Sequence, residues 1–373
     1  MNLPQPVASV CLALGITGAV AADPLSIYMI GNSHTADSEV RRGLPDLLAQ
    51  AGFSPTLAHH IRCGWSLHEI ATDPSNTCID PVPEFGDLTQ ALVNHDWDVI
   101  TIQPHDGGTI AEELAGLEAV LNFLPADAQP RVFLYVNWPM VDWPEERVGK
   151  HRASVPFETQ WNAPLSATSD PTLQSYRFFF WFYQQMRAAD IPASEISYIP
   201  IGCVLAELYQ RIDAGAFPGL SDPDILYRDG LHMSALGKYV TGLTFVASVY
   251  GYDVRQLGAP PENPAYQGAR IYPSDPLIPI DKAMADFFQE VVWEVVQSDP
   301  LAPENLPHRP RVVTEQGAVR FRWDSFLGAE YRIREGTDLG PLHLTDTASG
   351  SGNLMERPAP DNADRWFWQL VVD

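Results

Sequence analysis

Short apolar runs of strand length alternate with longer segments of helical period from Ser26 onward, and this rhythm limits the fold more than any single motif does. The runs are Ser26 to Ile30, Thr56 to Ile61, Asp98 to Ile102, Val132 to Val136 and Ile196 to Ile201. Helical patterns are expected at 38–52, 109–123, 174–189, 203–213, 234–250 and 281–298. Strands that recur with helices between them cannot pair as hairpins. They pair through crossovers, which makes a parallel sheet covered by helices, a three-layer α/β/α architecture. Pro45 leaves the boundary or straightness of the first helix open. Ser234 is placed to cap the helix that follows His232.

Two insertions break the rhythm. Residues 138–173 are rich in Trp, Pro and polar residues, including Trp138, Trp143, Arg147 and Trp161. They follow a strand end, where a long loop serves equally well as a substrate wall or as a surface loop packed on the sheet edge. Residues 252–280 carry six prolines and no periodicity, so this stretch is expected to wrap the surface.

Beyond Ala302 the period changes. Pro303, Pro307 and Pro310 mark a linker, after which Val319, Phe321 and Trp323 alternate with polar or small residues at strand period. The expected division is a leader at 1–22, an α/β domain at 23–300, a linker at 301–308 and a small all-β sandwich at 309–373. Arg320-Phe321-Arg322-Trp323, Ala329-Glu330-Tyr331-Arg332-Ile333 and the closing aromatic strand resemble fibronectin type III-like appendages of secreted bacterial hydrolases. Such an appendage serves as a spacer, a dimerisation surface or a glycan binder.

With 23 basic and 47 acidic residues, the chain carries a formal net charge of −24. That surface repels phosphate backbones and anionic lipid heads, so neither nucleic acid nor an anionic membrane is an expected partner. Residues 1–22 hold no charged side chain and end Ala19-Val20-Ala21-Ala22, which suits signal-peptidase cleavage near Ala21 or Ala22. The expected location is secreted or periplasmic, with no stable membrane insertion after cleavage. In an oxidising compartment Cys63 and Cys78 can pair, and closing a loop of about 15 residues would contribute ~3 kcal/mol on the chain-entropy model. Cys203 lies in an apolar context and reads as a small buried hydrophobe.

Two short blocks carry the chemistry. Ile30-Gly31-Asn32-Ser33-His34-Thr35 lies between a strand run and a helical pattern, so Ser33 sits on a strand-to-helix turn with free N–H groups able to bind an oxyanion. Tyr227-Arg228-Asp229-Gly230-Leu231-His232 contains an Asp-x-x-His spacing in which carboxylate and imidazole can meet within one turn. A serine attacks an ester once an imidazole takes its proton, and the imidazole works best with a carboxylate fixing its tautomer. Neither a Gly-x-Ser-x-Gly elbow nor a His-Glu-x-x-His or paired-cysteine spacing is present. No metal or cofactor is therefore expected.

These blocks resemble those of the SGNH/GDSL hydrolases. Gly31-Asn32-Ser33 is similar to their opening Gly-Asp-Ser, Arg62-Cys63-Gly64-Trp65-Ser66 to their second block, and Asp229-Gly230-Leu231-His232 to their closing Asp-x-x-His. The resemblance implies a flavodoxin-like three-layer fold and a serine esterase with Ser33 as nucleophile, His232 as base and Asp229 as its orienting acid. It further implies an oxyanion hole from the Ser33 and Gly64 N–H groups and an amide in the third block. There the family asparagine is missing, and Gln103 is the nearest amide, with His105 a second candidate. Asn32, His34 and His105 are the other candidate pocket residues. The implied substrate is a small-molecule or glycan ester, O-acetylated carbohydrate being favoured. An acyltransferase with the same triad and a non-catalytic glycan-binding or surface protein keeping the same shell are the alternatives.

Overall fold

The computed structural model describes residues 24–301 apart from 39, 106–109, 142–155, 164–174, 218 and 271, together with the strands that follow residue 310. The expected leader at 1–22 and most of the expected linker lie outside the described residues.

Five strands, β1 (Ser26–Gly31), β2 (Thr56–Ile61), β3 (Val99–Ile102), β4 (Arg131–Tyr135) and β5 (Glu195–Ile199), form one sheet in the order β2-β1-β3-β4-β5. Every pairing in it is parallel. The interior positions of β1, β3 and β4 are buried almost without exception, as expected of strands covered on both faces. Between and after the strands come α1 (Ser33–Ala36), α2 (Gly43–Gln50), α3 (Leu67–Thr72), α4 (Leu88–Asn94), α5 (Ile110–Leu121), α6 (Phe157–Trp161), α7 (Tyr176–Ala188), α8 (Ile201–Asp213), α9 (Ala235–Tyr250) and α10 (Lys282–Gln297). Helices α2, α8, α9 and α10 pack on one another, as do α3, α5 and α7. The fold is α/β, a parallel sheet flanked by helices.

Local chemistry explains where these helices start. Pro45 stands in the first turn of α2, where a missing N–H costs nothing because no carbonyl precedes it in the helix. The helix begins at Gly43, later than the apolar period alone would place it. Helices α3 and α4 open on capping boxes, Ser66 with Glu69 and Asp87 with Gln90, each satisfying two N–H groups reciprocally. Ser234 caps α9 through Gly237 N–H, so the helix starts shortly after His232. Cys203 is buried in α8, as its context implied.

The C-terminal strands β6 (Arg311–Glu315), β7 (Ala318–Asp324), β8 (Glu330–Gly336), β9 (His343–Ser349), β10 (Leu354–Pro358) and β11 (Phe367–Val372) form two three-stranded antiparallel sheets, β10-β7-β6 and β11-β8-β9. The expected sandwich would bring these two sheets face to face. Apart from Phe321, which is buried, the side chains that would form its core lie outside the described residues. The α/β unit extends to Leu301, fully buried with its N–H donated to the Tyr198 hydroxyl at 3.2 Å. A truncation meant to isolate the unit should therefore keep Leu301. No helix among the described residues is long and apolar enough to cross a membrane.

Candidate active site

The site grows from the carboxyl end of β1. Gly31 ends the strand, and a Cβ there would stand 2.3 Å from Thr35 Oγ1 and 2.8 Å from the Gln103 side chain, so only glycine allows the approach. Asn32 is the N-cap of α1: its side-chain oxygen accepts from His34 N–H at 3.0 Å and its amide donates to the Trp65 carbonyl at 3.3 Å. One side chain thus shapes the turn and ties it to the loop carrying Gly64. Ser33 is the first residue of α1 and keeps partial exposure.

On the other side, Asp229 holds His232. The His232 Nδ1 lies 2.9 Å from Asp229 Oδ2 and 3.2 Å from Oδ1, and Asp229 Oδ1 also accepts from the Leu231 and His232 N–H groups at 3.1 and 2.8 Å. Partial burial alone would push the Asp229 carboxyl up. The hydrogen bonds from His232 and the backbone overcome it and hold the group well below the usual carboxylate range. Asp229 is therefore held as the carboxylate, and the ring nitrogen of His232 that donates to it is Nδ1.

Three contacts unite the two halves. The His34 ring, next in sequence to Ser33, meets the His232 ring edge-on with centroids 6.1 Å apart. Asp37 Oδ2, at the end of α1, accepts from Met233 N–H at 2.9 Å. Trp138, fully buried, stacks on His34 at 4.8 Å and donates its indole N–H to the Leu231 carbonyl at 2.9 Å. The opening of the first insertion is thus a wall between the two blocks, while its residues 142–155 and 164–174, Trp143 and Arg147 among them, lie outside the described residues. Asn137 beside it places its amide 2.9 Å from His34 Nδ1.

Gln103 occupies another position than the expected one. It is fully buried, and its Oε1 accepts from Asn32 N–H, Thr35 N–H and the Thr35 hydroxyl at 3.1, 3.1 and 2.8 Å. Two backbone donors fix the amide's orientation, since the flipped form would set N–H against N–H. Its Nε2 donates to the Pro104 carbonyl at 3.0 Å. The amide that the third block was expected to turn toward an oxyanion instead braces the turn that presents Ser33. His105, the second candidate, keeps partial exposure, with its N–H on Glu113 Oε2 at 3.3 Å.

Gly64 takes φ +72° and stands exposed in the loop after β2, which a disulfide between Cys63 and Cys78 closes. Arg62 N–H bonds the Gly31 carbonyl at 3.0 Å, so the loop starts alongside the Ser33 turn. Reducing the disulfide is expected to lower unfolding free energy by about 3 kcal/mol on the chain-entropy model. Paired denaturant titrations with and without reductant will read that difference.

Sequence reasoning missed two buried acids, Asp37 and Glu113. Burial pushes Asp37 up to about 6 despite the opposing pull of His232 and the Met233 N–H. Glu113, on α5, accepts from Leu67 and His105 N–H, and burial raises it from an ordinary 4.5 to about 7. The folded chain thus keeps a proton on Glu113 that the unfolded chain has released, and this contribution to stability falls as pH rises from about 4.5 to about 7. Urea unfolding across that window should show a fall that is smaller in Glu113→Gln than in wild type by on the order of 3 kcal/mol, the fall left in the variant being that of Asp37. The signal available in sequence was a second acidic residue, Glu113 after Glu112, at the apolar-periodic start of a helix.

His59 and His60, adjacent on β2, are both buried. Among the described residues no group of three His, Cys, Asp or Glu is disposed to hold a metal ion.

The fold has counterparts among solved structures. A crystal structure of a DUF4886 family protein from Bacteroides uniformis aligns with 74% of this chain and 95% of its own, at a TM-score of 0.50 and 15% identity. A gut microbial diltiazem-metabolizing enzyme aligns with 87% of this chain and 61% of its own, at a TM-score of 0.36 and 10% identity. At these identities the likeness to the first is one of fold, and the second is too distant to carry an argument. No family model matches the chain, and no curated protein is similar to it in sequence.

Proposed function

We propose that this chain is a serine ester hydrolase of SGNH/GDSL type, with Ser33 as nucleophile, His232 as general base then acid, and Asp229 as the orienting carboxylate. The observation that carries the reading is the Asp229–His232 pair brought against α1, the short helix that begins with Ser33. His232 Nε2 takes the Ser33 proton as Oγ attacks the acyl carbonyl. The imidazolium is stabilised by the ionised Asp229, then returns the proton to the leaving alcohol. Water repeats the sequence in reverse and frees the acid. The N–H groups of Ser33 and Gly64 are the oxyanion donors in this reading, with Gln103 acting through the turn it braces.

The substrate we favour is an O-acetylated carbohydrate, met outside the cytoplasm. The apolar leader at 1–22 and the Cys63–Cys78 disulfide support export to an oxidising compartment. A fluorophosphonate probe should label wild type and leave Ser33→Ala unlabelled. Turnover should be seen on a panel of acetylated sugars and p-nitrophenyl esters. Absence of both labelling and turnover would leave a non-catalytic shell.

A further inference from the structure

A cavity of about 370 Å³ lies beside the Asp-x-x-His turn. Its walls include Arg42 before α2, Arg228 of the turn, Lys238 on the first turns of α9 and Arg270 of the second insertion, and among the described residues no acidic side chain lines it. In a chain with 47 acids against 23 bases, four cations and no acid among the described lining residues are the reverse of the overall balance. Arg42, Arg228 and Arg270 are exposed at its rim. Arg228 also reaches Asp229 Oδ2 at 3.5 Å, and Arg270 donates to the Pro273 carbonyl at 3.3 Å, so both guanidinium groups retain further N–H donors.

The wall that supplies Arg270 has its own fastening. Ala269 and Ile278 exchange hydrogen bonds at 3.0 and 2.7 Å, closing a hairpin-like turn within the proline-rich insertion. Gly268 at φ +125° lets that turn form, since a Cβ would stand 2.3 Å from the Ile278 carbonyl oxygen. Pro264 and Leu277 add apolar surface to the same wall.

We infer that this cavity binds a small organic anion of monosaccharide size, its acidic group held by Arg42, Arg228, Lys238 and Arg270. The volume falls in the range of small-molecule sites and exceeds the needs of a bare inorganic ion. The mixed lining fits a ligand with a charged end and an apolar or ring-like body. Carboxylate, sulfate and phosphate groups share the chemistry that guanidinium and ammonium recognise. The inference does not depend on the ester chemistry, because Ser33 and His232 are not among the lining residues.

Calorimetric titrations on the full chain at low ionic strength, with glucuronate, glucose 6-sulfate, glucose 6-phosphate, glucose and inorganic sulfate, test it. At least one acidic sugar should bind about tenfold or more tighter than glucose, and the three acidic arms identify the group. Arg42→Gln with Arg270→Gln, and separately Lys238→Gln, should each weaken that binding by about tenfold while melting temperature stays unchanged. Raising salt should weaken it further. Ser33→Ala should bind as wild type does, which keeps this result separate from the fate of the esterase reading. Acidic sugars binding no better than glucose, inorganic sulfate binding as tightly as the acidic sugars, or folded variants binding unchanged would each overturn the inference.

Discussion

Ser33→Ala and His232→Ala are each expected to lower kcat by about 10⁴-fold or more, and the double variant is expected to be little worse than either. The reason is that the serine is a weak nucleophile without the imidazole, and the imidazole has no task without the serine. Steady-state kinetics on a soluble ester will decide. Losses that add across the two sites would mean that the residues act independently and that another group is the nucleophile. Asp229→Asn should cost no more than His232→Ala. It would leave the base in place but remove the negative charge that three donors face, the His232 ring and the Leu231 and His232 N–H groups.

Gln103→Ala should produce the second large effect, and its character separates two roles. An oxyanion donor would lose kcat alone, with folding stability untouched. The position of Gln103 predicts a joint loss. Removing its Oε1 strips the acceptor from Asn32 N–H, Thr35 N–H and the Thr35 hydroxyl in a fully buried place, at a cost of roughly 3 kcal/mol or more. The Ser33 turn then loosens, and a misplacement of about 1 Å is enough to lower turnover about 10²-fold. Urea unfolding and kcat measured on the same preparation will show whether the two losses travel together. A variant of wild-type stability with a pure kcat defect would return Gln103 to the oxyanion.

Much of this arrangement is legible in the chain before any coordinates. The five strands fall within a residue or two of the apolar runs, because a strand buried on both faces needs an unbroken apolar stretch and leaves a conspicuous signature. The Asp229–His232 contact is equally local, needing one turn and no help from the fold. Helices α3 and α4 escape a search for apolar period because they are only six and seven residues long, although Ser66-x-x-Glu69 and Asp87-x-x-Gln90 announce their first turns. The role of Gln103 is of another kind. It depends on Gly31 at the end of β1 lying beside Gln103 just past the end of β3 and on the absence of a Cβ at Gly31, a relation that exists only after β1 and β3 have paired. The cationic cavity is hidden for the same reason, since Arg42, Lys238 and Arg270 are far apart in sequence and one of them sits in a stretch with no period at all.

The fastening of the His232 turn also governs the order of events when the chain folds. Its anchors, Trp138 to Leu231 and Asp37 to Met233, span 93 and 196 residues, so each closes a loop that most of the α/β unit must already occupy. Contacts of such long range form late, after the loop entropy has been offset by the sheet and its helices. A chain that folds as it emerges would therefore hold Ser33 and His232 apart until Met233 and most of the unit had emerged, and the proposed site would be completed as a closing step of assembly.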